Sequence, residues 1–177
     1  MLHVSVLVNL YNKQKAAYDY AVQYSGPKSD VSKAAYKALA AITYETIKEC
    51  SNYTAGKWML DMGFPSIAAA TLLSKIDIEK IQSPAQLLSY AGLTSHKTPY
   101  CKEVRGVMIY IGDEFASNTK CDIYYDMLHD KYEQLCKLNP DTEPDKLMFK
   151  AKVYTEKQFL IDLYNMMKEL KDAEVTC

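Results

Sequence analysis

The chain has 177 residues, of which 49% are hydrophobic and 24% are charged, so it can build a folded core. Its formal net charge of −1 argues against a protein that coats nucleic acid through bulk electrostatics. Neither a membrane-spanning apolar run nor the basic leader of a signal peptide is evident in it. We therefore expect a soluble, cytoplasmic protein. If the chain is viral, we expect it in the host cell or the virion.

The charges are spread unevenly along the chain. Residues 1–57 carry seven basic and four acidic side chains (+3), whereas residues 58–112 carry five and four (+1). Residues 113–177 carry nine basic and fourteen acidic side chains, a net of −5. A polyanionic partner is therefore expected to meet the first two thirds of the chain.

The N-terminal part predicts two helices that form an antiparallel hairpin. Residues 4–8 would also suit a short strand, but the apolar pattern continues to about Tyr24 and favours a helix. The stretch 25–28 (SGPK) predicts a break, after which Ser29 is expected to cap the second helix. The apolar side of that helix is predicted to comprise Val31, Ala35, Leu39, Ile42 and Ile47.

The segment 58–93 is the most informative part of the chain. It predicts a helix, a sharp turn at 63–66 (GFPS), a second helix, and a third helix that begins at 83–84 (SP) and ends at Gly92. Gly63 can take a positive φ, and the Pro-Ser pair suits the first turn of a helix. Such a turn leaves the N–H groups of a helix start without intrahelical partners, which is the phosphate-binding principle of helix-hairpin-helix DNA-binding elements. The buried stripe of the second helix is predicted to be Ile67, Ala70, Leu73 and Ile76, with Thr71 and Leu72 beside it.

The remainder also has helical periodicity, so the predicted fold class is all-α. A polar loop at 94–102 precedes helices at about 104–116 and 121–138, and Thr142 is expected to cap a last helix that reaches about Leu170. The helix at about 121–138 is predicted to present Tyr124, Leu128, Tyr132 and Leu135 on one face. The last helix is predicted to bury Leu147, Ala151, Tyr154, Leu160, Leu163, Met167 and Leu170.

Cysteine and histidine positions give no sign of a metal site or a cofactor. The five cysteines are an odd number without a C-x-x-C pair, and the three histidines are scattered. We expect reduced thiols, most of them buried.

Two blocks of the segment resemble a known family. Residues 62–73 (MGFPSIAAATLL) resemble the "PGIGPITAATLL" hairpin of the bridge-RNA-guided insertion-sequence transposases, and residues 83–93 (SPAQLLSYAGL) are similar to their "SPRQLAAYAGL". Residues 157–164 (KQFLIDLY) look like the closing helix of the same family. The resemblance covers about residues 56–170 and implies the family's C-terminal helical domain, a DNA-binding module. It suggests an N-terminal helical hairpin at 1–55 followed by a transposase-like domain at 56–177.

The chain also departs from that family in three places. Pro65 replaces the second glycine of the hairpin and so removes one N–H group. Tyr100 and Cys101 stand where the family keeps its nucleophilic serine. About 57 residues precede the hairpin, which leaves no room for the family's DEDD nuclease domain. The resemblance therefore implies DNA binding without the recombinase chemistry.

Three functions remain open at this point. The first is a stand-alone helix-hairpin-helix protein that binds duplex or branched DNA with weak sequence preference. The second is a structural or interaction protein, viral or encoded by a mobile element, in which some of the 15 tyrosines and the first two helices mediate self-assembly into a homo-oligomer. The third is an enzyme that uses Tyr100, or Cys101 with His96. The residues predicted to contact DNA are Gly63, Phe64, Pro65, Ser66, Ile67, Ala68, Lys75, Lys97, Lys102 and Arg105.

Overall fold

The computed structural model describes residues 2–94, 99–117 and 122–175, which form eight helices and no strand. The helices are α1 (Leu2–Ser25), α2 (Asp30–Ser51), α3 (Thr54–Asp61), α4 (Ser66–Lys75), α5 (Pro84–Tyr90), α6 (Lys102–Ser117), α7 (Asp122–Leu138) and α8 (Pro144–Val175). The predicted all-α class is confirmed. Within these ranges no helix is long and apolar enough to span a bilayer. The chain divides into two compact units, Met1–Lys75 with α1–α4 and Ile76–Cys177 with α5–α8.

In the first unit, α1 and α2 pack side by side around the predicted break. The Gln14 amide donates a hydrogen bond to the Ala35 carbonyl at 3.1 Å, and the rings of Tyr18 and Tyr36 lie 5.9 Å apart. Ser29 caps α2 as predicted, because its hydroxyl oxygen accepts a hydrogen bond from the Ser32 N–H. Both α3 and α4 then pack against α2, and α4 also contacts α1.

The predicted apolar side of α2 is wrong in part. Leu39 is buried, but Val31 and Ile47 are exposed, and the other buried positions are Ser32, Thr46 and Cys50. The polar side chains can be buried because they bond locally: the Thr46 hydroxyl donates to the Ile42 carbonyl and the Ser32 hydroxyl to the Gly26 carbonyl, both at 2.7 Å. Part of the apolar surface of α2 is therefore left outside the fold.

In the second unit, α8 packs against α5, α6 and α7. The core of this unit holds three aromatic rings, Phe115 of α6, Tyr124 of α7 and Phe159 of α8, with centroids 4.9 to 5.7 Å apart. The Tyr124 hydroxyl donates to the Asp162 carboxylate at 2.7 Å, so the one polar group of the cluster has a partner.

The predicted register of α8 needs correction. Tyr154 and Leu170 are exposed, whereas Thr155 and Phe159 are buried. The buried row runs at intervals of four residues, through Leu147, Ala151, Thr155, Phe159 and Leu163. Thr155 fits this row because its hydroxyl donates to the Ala151 carbonyl at 3.1 Å. The helix also begins one residue later than a Thr142 cap would require, since the Glu143 carbonyl accepts the N–H groups of residues 146 and 147.

Candidate nucleic-acid interface

The turn between α3 and α4 is built around Gly63. Its φ is +84°, a conformation that glycine adopts without the steric penalty of a Cβ. The Gly63 N–H bonds to the Leu60 carbonyl at 2.9 Å, and the Phe64 N–H bonds to the Met59 carbonyl at 3.1 Å. This is the Schellman pattern that closes a helix, and it directs the buried Phe64 side chain back toward the core. The positive φ predicted for Gly63 is confirmed.

The start of α4 follows at once. Pro65 precedes the helix, and its carbonyl accepts the N–H groups of Ala68 and Ala69 at 2.9 and 3.2 Å. The N–H groups of Ser66 and Ile67 occupy the first two helical positions, where the helix itself supplies no acceptor. Ser66 is buried, and its carbonyl accepts the thiol of Cys50 at 3.8 Å. Burial raises the pKa of that thiol to about 11, so it stays a neutral donor behind the turn.

The turn opens into a groove of about 460 Å³ in the first unit. Residues 63–67 form one wall, and Leu60, Tyr11 of α1 and Thr43 and Ile47 of α2 complete it. The groove is mostly apolar, but the Tyr11 phenol can donate a hydrogen bond. The Thr43 hydroxyl donates to the Leu39 carbonyl at 2.9 Å, and its oxygen keeps accepting capacity. Neither hydroxyl was among the residues predicted for the site, because no local signal links positions 11 and 43 to the turn.

The predicted basic residues lie in different places. Lys75 is the last residue of α4, about 14 Å along the helix axis from the turn. Lys102 is exposed at the start of α6, in the second unit, and Lys97 lies outside the described residues. Near the turn itself, Lys57 of α3 is exposed and pairs with Asp61 at 3.0 Å.

Arg105, the sole arginine of the chain, belongs to an ion pair inside the second unit. Its Nη1 donates to Oε2 of the buried Glu156 at 2.6 Å. Burial raises the pKa of Glu156, and the neighbouring guanidinium opposes that shift. Beside them, Lys152 of α8 bonds to Asp113 of α6 at 2.7 Å. These two pairs join α6 to α8 and line a groove of about 270 Å³ with Ile109 and Phe149.

Two of the three residues considered for catalysis, Tyr100 and Cys101, lie in the described part of the chain. The Tyr100 ring is half exposed and lies close to Gly92, where an added Cβ would come within 2.9 Å of its Cγ. The Cys101 thiol lies 3.4 Å from the Glu103 carboxylate, an acceptor for its proton. His96 falls among the residues that the structure does not describe. In the ranges it does describe, Cys50, Cys101 and Cys136 are free, and Cys50 alone of the three is fully buried.

Comparisons with protein families, with curated proteins and with solved structures each gave no match. The resemblance to the transposase domain therefore rests on residues 62–73, 83–93 and 157–164 alone.

Proposed function

We propose that the protein binds the phosphate backbone of duplex or branched DNA through the α3–α4 turn. The observation that carries the proposal is the placement of the α4 N-terminus in the wall of an open groove. Helix N-termini favour anions because N–H groups and the helix dipole both point toward them. The resemblance of residues 62–73 to a transposase hairpin supports the same assignment.

The charge of the first unit supports a polyanionic partner. Residues 1–75 carry eight basic and five acidic side chains, a net of +3 within a chain whose total is −1. Because the Phe64, Ser66 and Ala68 side chains are buried, contact with DNA would come from backbone N–H groups. Backbone contacts to phosphate position a protein on DNA without reading its bases, so sequence preference should be weak.

The test is a fluorescence-anisotropy titration of a labelled duplex at about 50 mM salt, repeated at about 200 mM. We expect binding that weakens as salt rises, since phosphate contacts release counterions. Gly63→Val should weaken binding at least about tenfold, because valine strongly disfavours a positive φ and the turn must rearrange. Pro65→Gly should strengthen it by restoring an N–H group.

Gly26→Val is the matched control. Gly26 also has a positive φ, +81°, and a Cβ there meets nothing within 4 Å, so the variant imposes similar backbone strain at the α1–α2 turn of the same unit. It should bind DNA like the wild type. The proposal fails if no duplex binds at low salt and Gly63→Val changes nothing. A large, stable oligomer without DNA affinity would favour the structural role instead.

A further inference from the structure

Helix α1 exposes a second apolar row in addition to its core side. Val6, Leu10, Tyr20 and Tyr24 are 52%, 45%, 64% and 66% exposed. With Lys13 and Ala17, also exposed, they repeat at alternating intervals of four and three residues along most of the helix. This is the spacing by which one helix packs along another. On the core side of α1, Val4 and Val8 lie about 160° from the centre of this row, and the buried Ala21 borders it.

The row points away from the α3–α4 turn. At 100° per residue, its centre lies about 140° around α1 from Tyr11, which lines the groove at that turn. Helix α2 repeats the arrangement, since its exposed residues 31, 34, 38, 41 and 45 lie about 180° from Thr43 and Ile47 of the same groove. The two rows therefore share the opposite side of the α1–α2 pair. This outer face consists of Val6, Leu10, Lys13, Ala17, Tyr20, Tyr24, Val31, Ala34, Ala38, Ala41 and Glu45.

The outer face carries little charge. It comprises two tyrosines, seven aliphatic residues and one charge of each sign, Lys13 and Glu45. Interface cores are likewise depleted of charge and enriched in tyrosine. A contiguous apolar surface of this kind on a folded chain marks a contact site.

We propose that the outer face is the interface of a homodimer, in which two α1–α2 pairs pack face to face as a four-helix bundle. The charge of the outer face favours a second copy of the chain as its partner, because a face with one charge of each sign does not repel itself. The area of the outer face also suits a dimer interface. Tyr20 and Tyr24 alone expose roughly 250 Å², and the whole face is on the order of the ~800 Å² that each partner contributes to a standard interface.

This inference goes beyond phosphate binding and is independent of it. Because the outer face and the α3–α4 turn lie on opposite sides of the α1–α2 pair, a dimer would keep both turns open. The two turns would then face away from each other, so each would engage a separate stretch of DNA.

The experiment is sedimentation velocity of the full chain without DNA, over a concentration range that reaches tens of micromolar. We expect a dimer whose dissociation constant rises at least about 100-fold in Leu10→Glu, Tyr20→Glu and Ala38→Glu, because each variant buries a carboxylate in the interface. The matched control is Ile123→Glu on α7, where the native side chain is 74% exposed, and it should stay dimeric. Circular dichroism verifies that each variant keeps its helix content.

The variants lie on both α1 and α2. If a variant on one helix fails to fold, the variant on the other helix still tests the proposal. A dimer that survives substitution on both α1 and α2 overturns the proposal, as does one that Ile123→Glu dissociates equally. A wild-type chain that stays monomeric also overturns it, whether or not a lipid vesicle or another protein then binds the outer face.

Discussion

Two glycines of α6 show how one missing Cβ can position a helix. At Gly112 an added Cβ would lie 2.5 Å from Oε1 of Glu156, whose carboxylate is already held by Arg105. At Gly106, about one and two-thirds turns earlier, a Cβ would meet nothing within 4 Å. The first glycine permits the close approach of α6 to the buried ion pair, and the second has no such role.

Gly112→Ala should therefore lower the free energy of unfolding by about 1–3 kcal/mol, because the buried carboxylate has to move away from its partner. Gly106→Ala should raise it by up to about 1 kcal/mol, the usual gain of alanine over glycine in a helix. Urea titration of the two variants measures both effects. Equal changes at the two positions would contradict the close approach.

At the scale of the element, short polar signals define where helices begin. The Ser83 hydroxyl accepts the Gln86 N–H at 3.3 Å, and the Gln86 side chain accepts the Gln82 N–H at 2.8 Å. The two side chains thus satisfy backbone donors reciprocally, much as in a capping box. At the other end of α5, Gly92 has a φ of +70°.

Ser83→Ala should cost about 1 kcal/mol of stability, since it removes the acceptor at the start of α5. Ser83→Asp should retain most of it, because a carboxylate at this position also accepts the Gln86 N–H and favours the helix dipole. Thermal unfolding of both variants provides the measurement. A negligible loss for alanine would show that the cap contributes little.

Four helix ends were predictable because their chemistry is local. Ser29, Gly63, Ser83 and Gly92 act on groups within a few residues, so the sequence alone indicates them. The buried sides of α2 and α8 depend on distant partners, and there Thr46 and Thr155 are buried although hydropathy selected other residues. The groove at the α3–α4 turn was predictable only in its contiguous part, since Tyr11 and Thr43 reach it through helix packing.

At the scale of the molecule, the two units carry opposite charge. Residues 1–75 have a net charge of +3 and residues 76–177, with thirteen basic and seventeen acidic side chains, one of −4. The nearly neutral total therefore conceals a cationic and an anionic unit. The proposed polyanionic partner would meet the first unit, and the acidic side chains of the second contribute to how stability changes with pH.

The ionisation of Glu156 predicts whether the free energy of unfolding rises or falls with pH. Its pKa is raised in the folded chain by burial, so the folded state holds the proton more tightly than the unfolded state does. Its stabilising contribution is complete below the unfolded pKa, near 4.5, and is lost as the pH rises through the folded value. The stability of the wild type relative to Glu156→Gln should therefore fall as pH rises from about 4 to about 7.

Urea unfolding at several pH values measures this difference, and Glu169→Gln, an exposed position on the same helix, is the control. A difference that is constant with pH would contradict the prediction. A difference that grows in favour of the wild type would mean that the Arg105 pair outweighs burial.

The α3–α4 turn also has an optical consequence. Trp58, the sole tryptophan among 15 tyrosines and four phenylalanines, lies half-buried in α3, and its carbonyl accepts the Met62 N–H at 3.2 Å, immediately before the turn. Emission excited at the red edge of the absorption spectrum therefore comes from this indole alone. The molecule thus has a built-in fluorophore beside its α3–α4 turn, and events there can be followed without an attached dye.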